Sequence, residues 1–193
     1  MSKEKLLLIG AGGFGRMVVE QAMLQYDCAF VDDGQPAGSV ICGIPVVGGI
    51  ADLPELSRDY DLLAVGIGNN DFRAQMYEKA AALGYTFPNI IAASAYISPF
   101  AEIGKGCVIL QNACVQNGAT VGNGVLLNAG AEVHCDATVK DYALIYTNSV
   151  VRTGAKVGKF VRIGSNVTVC NNAVVSDGAD IPDCTAVHPE VKK

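Results

Sequence analysis

The sequence predicts an α/β domain over residues 1–92, followed by an all-β domain over residues 93–193 that forms a parallel β-helix. In the first domain, apolar runs of strand length alternate with helical patterns of about 12 residues, which is typical of βαβ units and a parallel sheet. In the second domain, an aliphatic residue recurs at every sixth position, a period that fits neither an α-helix nor a hairpin. These two periods define the fold class.

The elements of the first domain follow one another in βαβ order. Strands are predicted at residues 5–10, 28–33, 44–47, 61–68 and 86–91, and helices at residues 14–25 and 71–83. Parallel strands joined by such helices predict a Rossmann-like βαβαβ sheet.

The hexapeptide pattern of the second domain is unbroken. In steps of six from Ile97 to Val187, all sixteen positions hold Ile, Leu or Val. Two positions before each of them, from Ala95 to Ala179, only small or β-branched residues occur. The pattern predicts coils of three short strands, each pointing one aliphatic and one small residue inward, with about five coils in total.

Composition and charge exclude several classes of protein. The net charge of −5 argues against a non-specific nucleic-acid binder. Seven cysteines without a CxxC pair, together with only two histidines, argue against a zinc site, so no metal is expected. No apolar run is long enough to span a membrane. An odd cysteine count behind a start without a signal peptide predicts a reducing, cytoplasmic location.

Four motifs of the first domain are specific: GAGGFGR at residues 10–16, FVDDG at 30–34, GIPVVGG at 43–49 and VGIGNNDFR at 65–73. Together with the hexapeptides they resemble the hexapeptide-repeat acyltransferases, and among them the bacterial UDP-4-amino-sugar N-acetyltransferases and sialic-acid O-acetyltransferases. The resemblance covers nearly the whole chain in the same domain order. It implies a left-handed β-helix, a homotrimer with active sites between neighbouring prisms, acetyl-CoA as acyl donor and a nucleotide-sugar acceptor.

The glycine-rich turn fits a phosphate-binding site. Gly10, Gly12 and Gly15 form GxGxxG between a strand and a helix, and Asp32 and Asp33 follow about 20 residues later, where a ribose or base contact is expected. A full dinucleotide fold needs two such halves, and only one fits before the hexapeptides begin. We therefore favour a UDP-sugar over NAD; in the alternative interpretation the glycines serve only helix–sheet packing.

The resemblance implies a wider nucleotide-sugar site at the carboxyl ends of the strands. Arg73 is expected to reach the phosphates because a guanidinium matches phosphate geometry, the alternative being a solvated helix residue. The residues expected in this site are Gly10, Gly12, Gly13, Phe14, Asp32, Asp33, Gly66, Gly68, Asn69 and Arg73.

Acetyl transfer needs a base for the acceptor's proton and hydrogen-bond donors for the oxyanion. In the family, a histidine on a turn of the prism is the base, and a carboxylate orients it. Counting from Asn128 and from Asp141 places Cys135 at that histidine position, with His134 directly before it and Asp136 directly after it.

Three interpretations of this departure remain open. A local shift of the turn brings His134 into the cleft as the base, with Asp136 orienting it; Cys135 acts as a thiolate; or acyl transfer has been lost. For the coenzyme, Thr153 and Asp183 stand where backbone glycines of the family approach CoA, and His188 is expected to be an exposed tail residue.

Two other functions compete with an acyltransferase. One is a catalytically degenerate, trimeric nucleotide-sugar-binding protein of the same fold, and the weaker one is a nicotinamide-binding regulatory domain fused to a trimerisation prism. For the trimer, outward apolar residues such as Leu110 and Tyr146 are expected to be exposed.

Overall fold

The computed structural model describes residues 3–190, and the chain divides after Ile90 into two compact units. Within residues 3–190, no helix is long and apolar enough to cross a membrane. The first unit is an α/β sheet and the second is a β-helical prism.

The first unit is built on a five-stranded sheet. Its elements are β1 (Lys5–Ile9), α1 (Gly13–Ala22), β2 (Asp27–Val31), β3 (Val40–Ile41), β4 (Ile44–Gly48), a 3₁₀ turn (Ile50–Asp52), α2 (Leu53–Leu56), β5 (Leu62–Val65) and α3 (Asn70–Ala82). The sheet order is β3-β4-β2-β1-β5, with β4, β2, β1 and β5 parallel and β3 antiparallel at the edge.

The strand order creates a crevice at the carboxyl edge of the sheet. β1 pairs with β2 on one side and with β5 on the other, so the order reverses at β1, and ligands of open α/β sheets bind at such switch points. β1 and β2 are almost continuously apolar because both faces of these central strands are buried.

The second unit, described as far as Glu190, contains seventeen two-residue strands. In chain order they are β6 (Ile90–Ile91), β7 (Tyr96–Ile97), β8 (Glu102–Ile103), β9 (Val108–Ile109), β10 (Cys114–Val115), β11 (Thr120–Val121), β12 (Leu126–Leu127), β13 (Glu132–Val133), β14 (Thr138–Val139), β15 (Leu144–Ile145), β16 (Val150–Val151), β17 (Lys156–Val157), β18 (Arg162–Ile163), β19 (Thr168–Val169), β20 (Val174–Val175), β21 (Asp180–Ile181) and β22 (Ala186–Val187).

These strands form three parallel sheets, one on each face of the prism. The orders are β22-β19-β16-β13-β10-β7, β20-β17-β14-β11-β8 and β21-β18-β15-β12-β9-β6. Each strand therefore pairs with the strand three hexapeptides away along the chain, as Val133 pairs with Val115 and Val151. Three hexapeptides make one coil, so five complete coils and two further strands result, and the predicted fold class is confirmed.

The predicted fifth strand of the first domain, residues 86–91, is wrong. Thr86 makes only an isolated bridge with Leu62, whereas Ile90–Ile91 belongs to the prism. The N–H of Ala92 donates to the carbonyl of Ile109 at 2.8 Å, as pairing with the next coil requires. Ile91 lies one hexapeptide before Ile97, so the hexapeptide pattern begins one step earlier than the sequence predicted.

The prism has an apolar core and left-handed corners. The inward aliphatic residues from Ile109 to Val175 are at most 4% exposed. Every sixth residue from Gly106 to Cys184 has a φ between 55° and 72°, which glycine and asparagine tolerate best. Because each corner turns in the same way, residues that are 18 positions apart occupy equivalent corners of adjacent coils.

The expectation that Leu110 is an exposed outward residue is wrong, because Leu110 is 1% exposed. Tyr146 is half-buried, and its ring lies under the Arg162 guanidinium at 5.0 Å. Among the prism residues up to Glu190, the large apolar side chains that are exposed are those of Tyr96, Phe100 and Val174.

Candidate active site

The glycine-rich turn brings the backbones of β1, α1 and the loop after β5 together. A Cβ at Gly15 would lie 1.8 Å from the carbonyl oxygen of Gly10, and one at Gly66 would lie 2.7 Å from the Cα of Gly15. Gly10 also has a φ of +98°. By contrast, Cβ atoms at Gly12 and Gly13 would meet nothing within 4 Å, so the first turn of α1 faces open space, where a helix N-terminus can receive an anion.

Two carboxylates at the end of β2 hold the loops around this turn. Asp32 accepts the N–H of Ala11 at 2.7 Å and the N–H of Gly34 at 2.8 Å. Asp33 accepts the N–H of Ile50 at 2.7 Å with one oxygen. Both aspartates therefore have a structural role at the carboxyl edge of the sheet, and their contact with a ligand remains a prediction.

A small cavity opens between these loops. Its volume is about 180 Å³, and it lies at the switch point of the sheet. It is lined by Ile9, Gly10, Val31, Asp32, Asp33, Gly34, Ile50, Ile67 and Phe72. Several residues of the predicted nucleotide site are thus brought together here, and Phe72, which was not predicted from the sequence, is among them.

The expectation that Arg73 reaches the phosphates is wrong. Arg73 is 0% exposed, and its guanidinium donates to the carbonyls of Ile67 at 3.0 Å and Gly68 at 3.3 Å and to the side chain of Asn70 at 2.9 Å. The carbonyls of the loop after β5 have no strand to accept hydrogen bonds from, and the buried guanidinium donates to two of them instead. Arg73 therefore fixes the shape of the loop instead of contacting a ligand.

Asn69 begins the helix that follows this loop. Its side-chain oxygen accepts the N–H of Phe72 at 2.9 Å, which is an N-cap contact. The predicted nucleotide contact of Asn69 therefore competes with a structural use of the same oxygen.

His134 has a carboxylate partner, but it is not the predicted one. His134 Nε2 lies 2.8 Å from Glu132 Oε2, and the two side chains are 26% and 43% exposed. Val133 between them is buried in the core, so residues 132 and 134 point outward on the same side, as alternation along a strand requires. The carboxylate–imidazole pair of this turn is therefore Glu132–His134.

The expectation that Asp136 orients His134 is wrong. Asp136 is exposed and occupies a left-handed corner with a φ of 58°. Its Oδ1 lies against Gly118 in the previous coil, where an added Cβ would come within 2.3 Å. Its carboxylate thus lies against the previous coil, whereas the partner of the imidazole is Glu132.

Cys135 is held by a residue of the previous coil. Its backbone N–H and its thiol lie 3.3 Å and 3.4 Å from the side-chain oxygen of Gln116. Cys114, on the strand before Gln116, interacts with the same group: burial and then the Glu132 charge raise the pKa of its thiol, while a hydrogen bond with Gln116 opposes the rise. We call residues 114, 116, 132, 134 and 135 the His134 cluster.

The remaining predicted residues lie at separate places on the prism. Asn128 is 7% exposed, and its side-chain oxygen accepts the N–H of Ala129 at 2.8 Å. Thr153 is exposed one coil after Cys135. Asp183 accepts the N–H of Ser165 at 2.7 Å, as Asp177 does with the N–H of Lys159 at 2.9 Å, so its side chain closes a corner. Their roles in catalysis or CoA binding remain predictions.

His188 is exposed, as expected, but it still contacts the prism. Its Nδ1 lies 3.5 Å from the thiol of Cys170 in the previous coil. Among residues 3–190, no group of three or more His, Cys, Asp or Glu side chains could hold a metal ion.

Three members of the His134 cluster were not predicted from the sequence: Cys114, Gln116 and Glu132. The signal that could have found them is the coil period of three hexapeptides applied to polar residues, because it places Gln116 one coil before His134 and Cys114 one coil before Glu132.

The geometry of the cluster predicts the reactivity of Cys114. Glu132→Gln removes a charge that raises the pKa of this thiol, so more thiolate is present at pH 8 and alkylation by iodoacetamide should be faster. Peptide mass spectrometry follows Cys114 separately from Cys135. Glu102→Gln, on another face of the prism, is the matched control, and an unchanged rate at Cys114 in Glu132→Gln would contradict the arrangement.

Comparison with known proteins identifies the family. The PglD N-terminal domain model matches residues 5–80. The acetyltransferase domain of PglB from Neisseria gonorrhoeae is 31% identical, with a TM-score of 0.90 over 99% of this chain and 94% of that chain. The same domain in complex with acetyl coenzyme A is 35% identical, with a TM-score of 0.87 over 97% of this chain and 98% of that chain.

A mutant of perosamine N-acetyltransferase from Caulobacter crescentus, in complex with CoA and GDP-perosamine, is 26% identical, with a TM-score of 0.78 over 94% of this chain and 92% of that chain. The match to PglB spans both units, and the fold that the two proteins share includes the hexapeptide prism. The chain therefore belongs to the bacterial sugar acetyltransferases of the hexapeptide-repeat type.

Proposed function

We propose that the protein transfers an acetyl group from acetyl-CoA to an amino or hydroxyl group of a nucleotide-activated sugar, with a UDP-amino-sugar as acceptor. The observation that carries the proposal is the Glu132–His134 pair, with 2.8 Å between carboxylate and imidazole, in a chain of this family. Two of its relatives support the substrates, since one was solved with acetyl coenzyme A and another with CoA and GDP-perosamine.

The pair suggests how the proton moves. When Nε2–H donates to Glu132, Nδ1 carries the lone pair and can accept the proton of the acceptor amine or hydroxyl. The acceptor atom attacks the thioester carbonyl, the carbon–sulfur bond breaks, and the leaving CoA thiolate takes the proton from the imidazolium. Glu132 stabilises the imidazolium while it exists.

Direct transfer fits the surroundings of Cys135 better than an acyl-enzyme does. A nucleophilic cysteine needs a neighbouring cation or base to form the thiolate. The hydrogen-bond partner of the Cys135 thiol is the uncharged carboxamide of Gln116, and the imidazole of His134 is bound to Glu132.

Release of free CoA thiol tests the transfer. Purified protein, acetyl-CoA and a panel of UDP-amino-sugars should yield thiol, and His134→Ala should lower the rate on the order of 10²-fold or more because the base is lost. Glu132→Gln should lower the rate less, and Cys135→Ala should be mild. Asp136→Asn is the matched control for Glu132→Gln and should behave like the wild type.

Other outcomes of this assay identify the rival functions. If Cys135→Ala abolishes transfer while His134→Ala does not, and mass spectrometry finds an acylated Cys135, the acyl group travels through the thiol. If the wild type releases no thiol with UDP-amino-sugars or GDP-amino-sugars, the proposed acetyl transfer is wrong. Binding of a nucleotide sugar without release of thiol would then identify a nucleotide-sugar-binding protein.

We place the nucleotide part of the acceptor at the 180 Å³ cavity beside Asp32, Asp33 and the open start of α1. The Rossmann-like switch point and the exposed helix N-terminus support binding of a base or ribose and of the phosphate next to the ribose there. A uridine nucleotide is the proposed ligand, and a guanosine nucleotide is the rival because perosamine N-acetyltransferase was solved with GDP-perosamine.

Calorimetry with UDP and with GDP tests this placement. UDP should bind the wild type and should bind Asp32→Ala and Asp33→Ala more weakly, because the first loses the Ala11 contact that holds the turn and the second loses the Ile50 contact. Asp59→Ala, an exposed aspartate of the same unit, is the control. Equal UDP affinity in all four proteins, or a preference for GDP, would overturn the uridine assignment.

We further propose that the protein is a cytoplasmic homotrimer. Phe100 is 72% exposed and Tyr96 58% on the prism, and exposed apolar side chains of this kind mark interfaces. Free thiols at all seven cysteines agree with a reducing compartment.

Sedimentation analysis should give a mass three times that of one chain, which is 20.1 kDa. Phe100→Asp should shift the protein towards the monomer because a charge then has to be buried at the contact. Leu24→Asp, at a similarly exposed leucine of the first unit, should leave the mass unchanged. A wild-type monomer at micromolar concentration would contradict the trimer.

A further inference from the structure

Arg152 lies one coil away from His134. Val133 pairs with Val151 in parallel strands, and His134 and Arg152 directly follow these two residues. The N–H of His134 donates to Val151 and the N–H of Arg152 donates to Val169, each at 2.9 Å, so the register continues past the strand ends. Adjacent coils are about 4.8 Å apart, so the side chains of His134 and Arg152 start from equivalent positions in neighbouring coils.

The guanidinium of Arg152 is available for a ligand. The side chain is exposed, and within residues 3–190 no carboxylate pairs with it. Arg162, the other arginine of the hexapeptide domain, is bound to Asp180 at 2.7 Å. The carboxylate of Glu132, in the preceding coil, is already bound to His134 at 2.8 Å.

The position of Arg152 limits what it can contact during the reaction. The acceptor atom must lie within hydrogen-bond reach of the imidazole that takes its proton. An anionic group one coil away from that point belongs to the accepting sugar, because the long, uncharged pantetheine arm separates the phosphates of CoA from the thioester. A guanidinium matches phosphate and carboxylate groups with two parallel hydrogen bonds.

We propose that Arg152 binds an anionic group of the acceptor sugar, either a phosphate on the anomeric carbon or a carboxylate on the ring, and thereby selects anionic sugars. The proposal rests on the proposed function, because it takes His134 as the base. It makes Arg152 a specificity-determining residue outside the acid–base pair.

Calorimetry without an acyl donor tests the contact separately from the chemistry. The probes are a 4-amino-hexose, its 1-phosphate and the corresponding 4-amino-uronic acid. Arg152→Ala should weaken binding of one of the two anionic probes roughly ten- to hundredfold, the range for a hydrogen bond to a charged group, and should leave the neutral probe unchanged. The probe that is affected identifies the phosphate or the carboxylate as the group recognised.

Two further variants complete the experiment. Arg152→Lys should restore part of the affinity, because an ammonium keeps the charge but loses the planar fork. Lys156→Ala removes an exposed positive charge from another face of the prism and should change nothing. Equal losses for neutral and anionic probes, no loss for any probe, or no binding of either anionic probe to the wild type would overturn the proposal.

The thiol-release assay separates this proposal from the proposed function. If no variant releases thiol but Arg152→Ala still loses the anionic probe, acetyl transfer fails and the anion contact stands. If thiol is released and Arg152→Ala raises only the KM for acetyl-CoA, the cation serves the donor and the present proposal is wrong.

Discussion

The stacking of coils in parallel register is the constraint on which the rest of the prism depends. Each inward aliphatic residue packs on its counterparts in the adjacent coils, as Val133 does on Val115 and Val151, and all three are fully buried. A shift of one residue would turn the aliphatic positions outward and the polar ones inward, so the register is strongly specified. The left-handed corner at every sixth residue closes each face before the next begins.

This register assembles the candidate site from residues that are distant in sequence. Glu132 and His134 point to the same side because a buried valine separates them. Gln116 lies one coil before His134, and its side chain therefore reaches the neighbouring Cys135. The site thus consists of short polar side chains at one edge of a rigid stack, with no inserted loop. In the first unit the strand order brings distant residues together in the same way, because it places Asp32 and the glycine-rich turn side by side at the switch point.

The fold could be predicted from the sequence because its periods are simple. The aliphatic residue of every prism strand from β7 to β22 follows from the hexapeptide period. The helices α1 and α3 follow from the alternation of helical patterns with strands, whereas the one-turn helix α2 was not predicted. The partners of individual side chains could not be predicted in this way. Arg73 is buried and satisfies the carbonyls of Ile67 and Gly68. Asp136 occupies a left-handed corner with its carboxylate against Gly118, and Glu132 takes its place beside His134.

In the proposed reaction, the Glu132–His134 pair receives the acceptor's proton beside the thioester. A crystal structure of the protein with CoA and a UDP-amino-sugar tests it most directly. We expect the CoA sulfur and the acceptor atom to lie close to the His134 imidazole, with Nδ1 within hydrogen-bond reach of the acceptor and Glu132 still bound to Nε2. A CoA sulfur at another face of the prism, with the imidazole of His134 facing solvent, would contradict the proposed role of the pair.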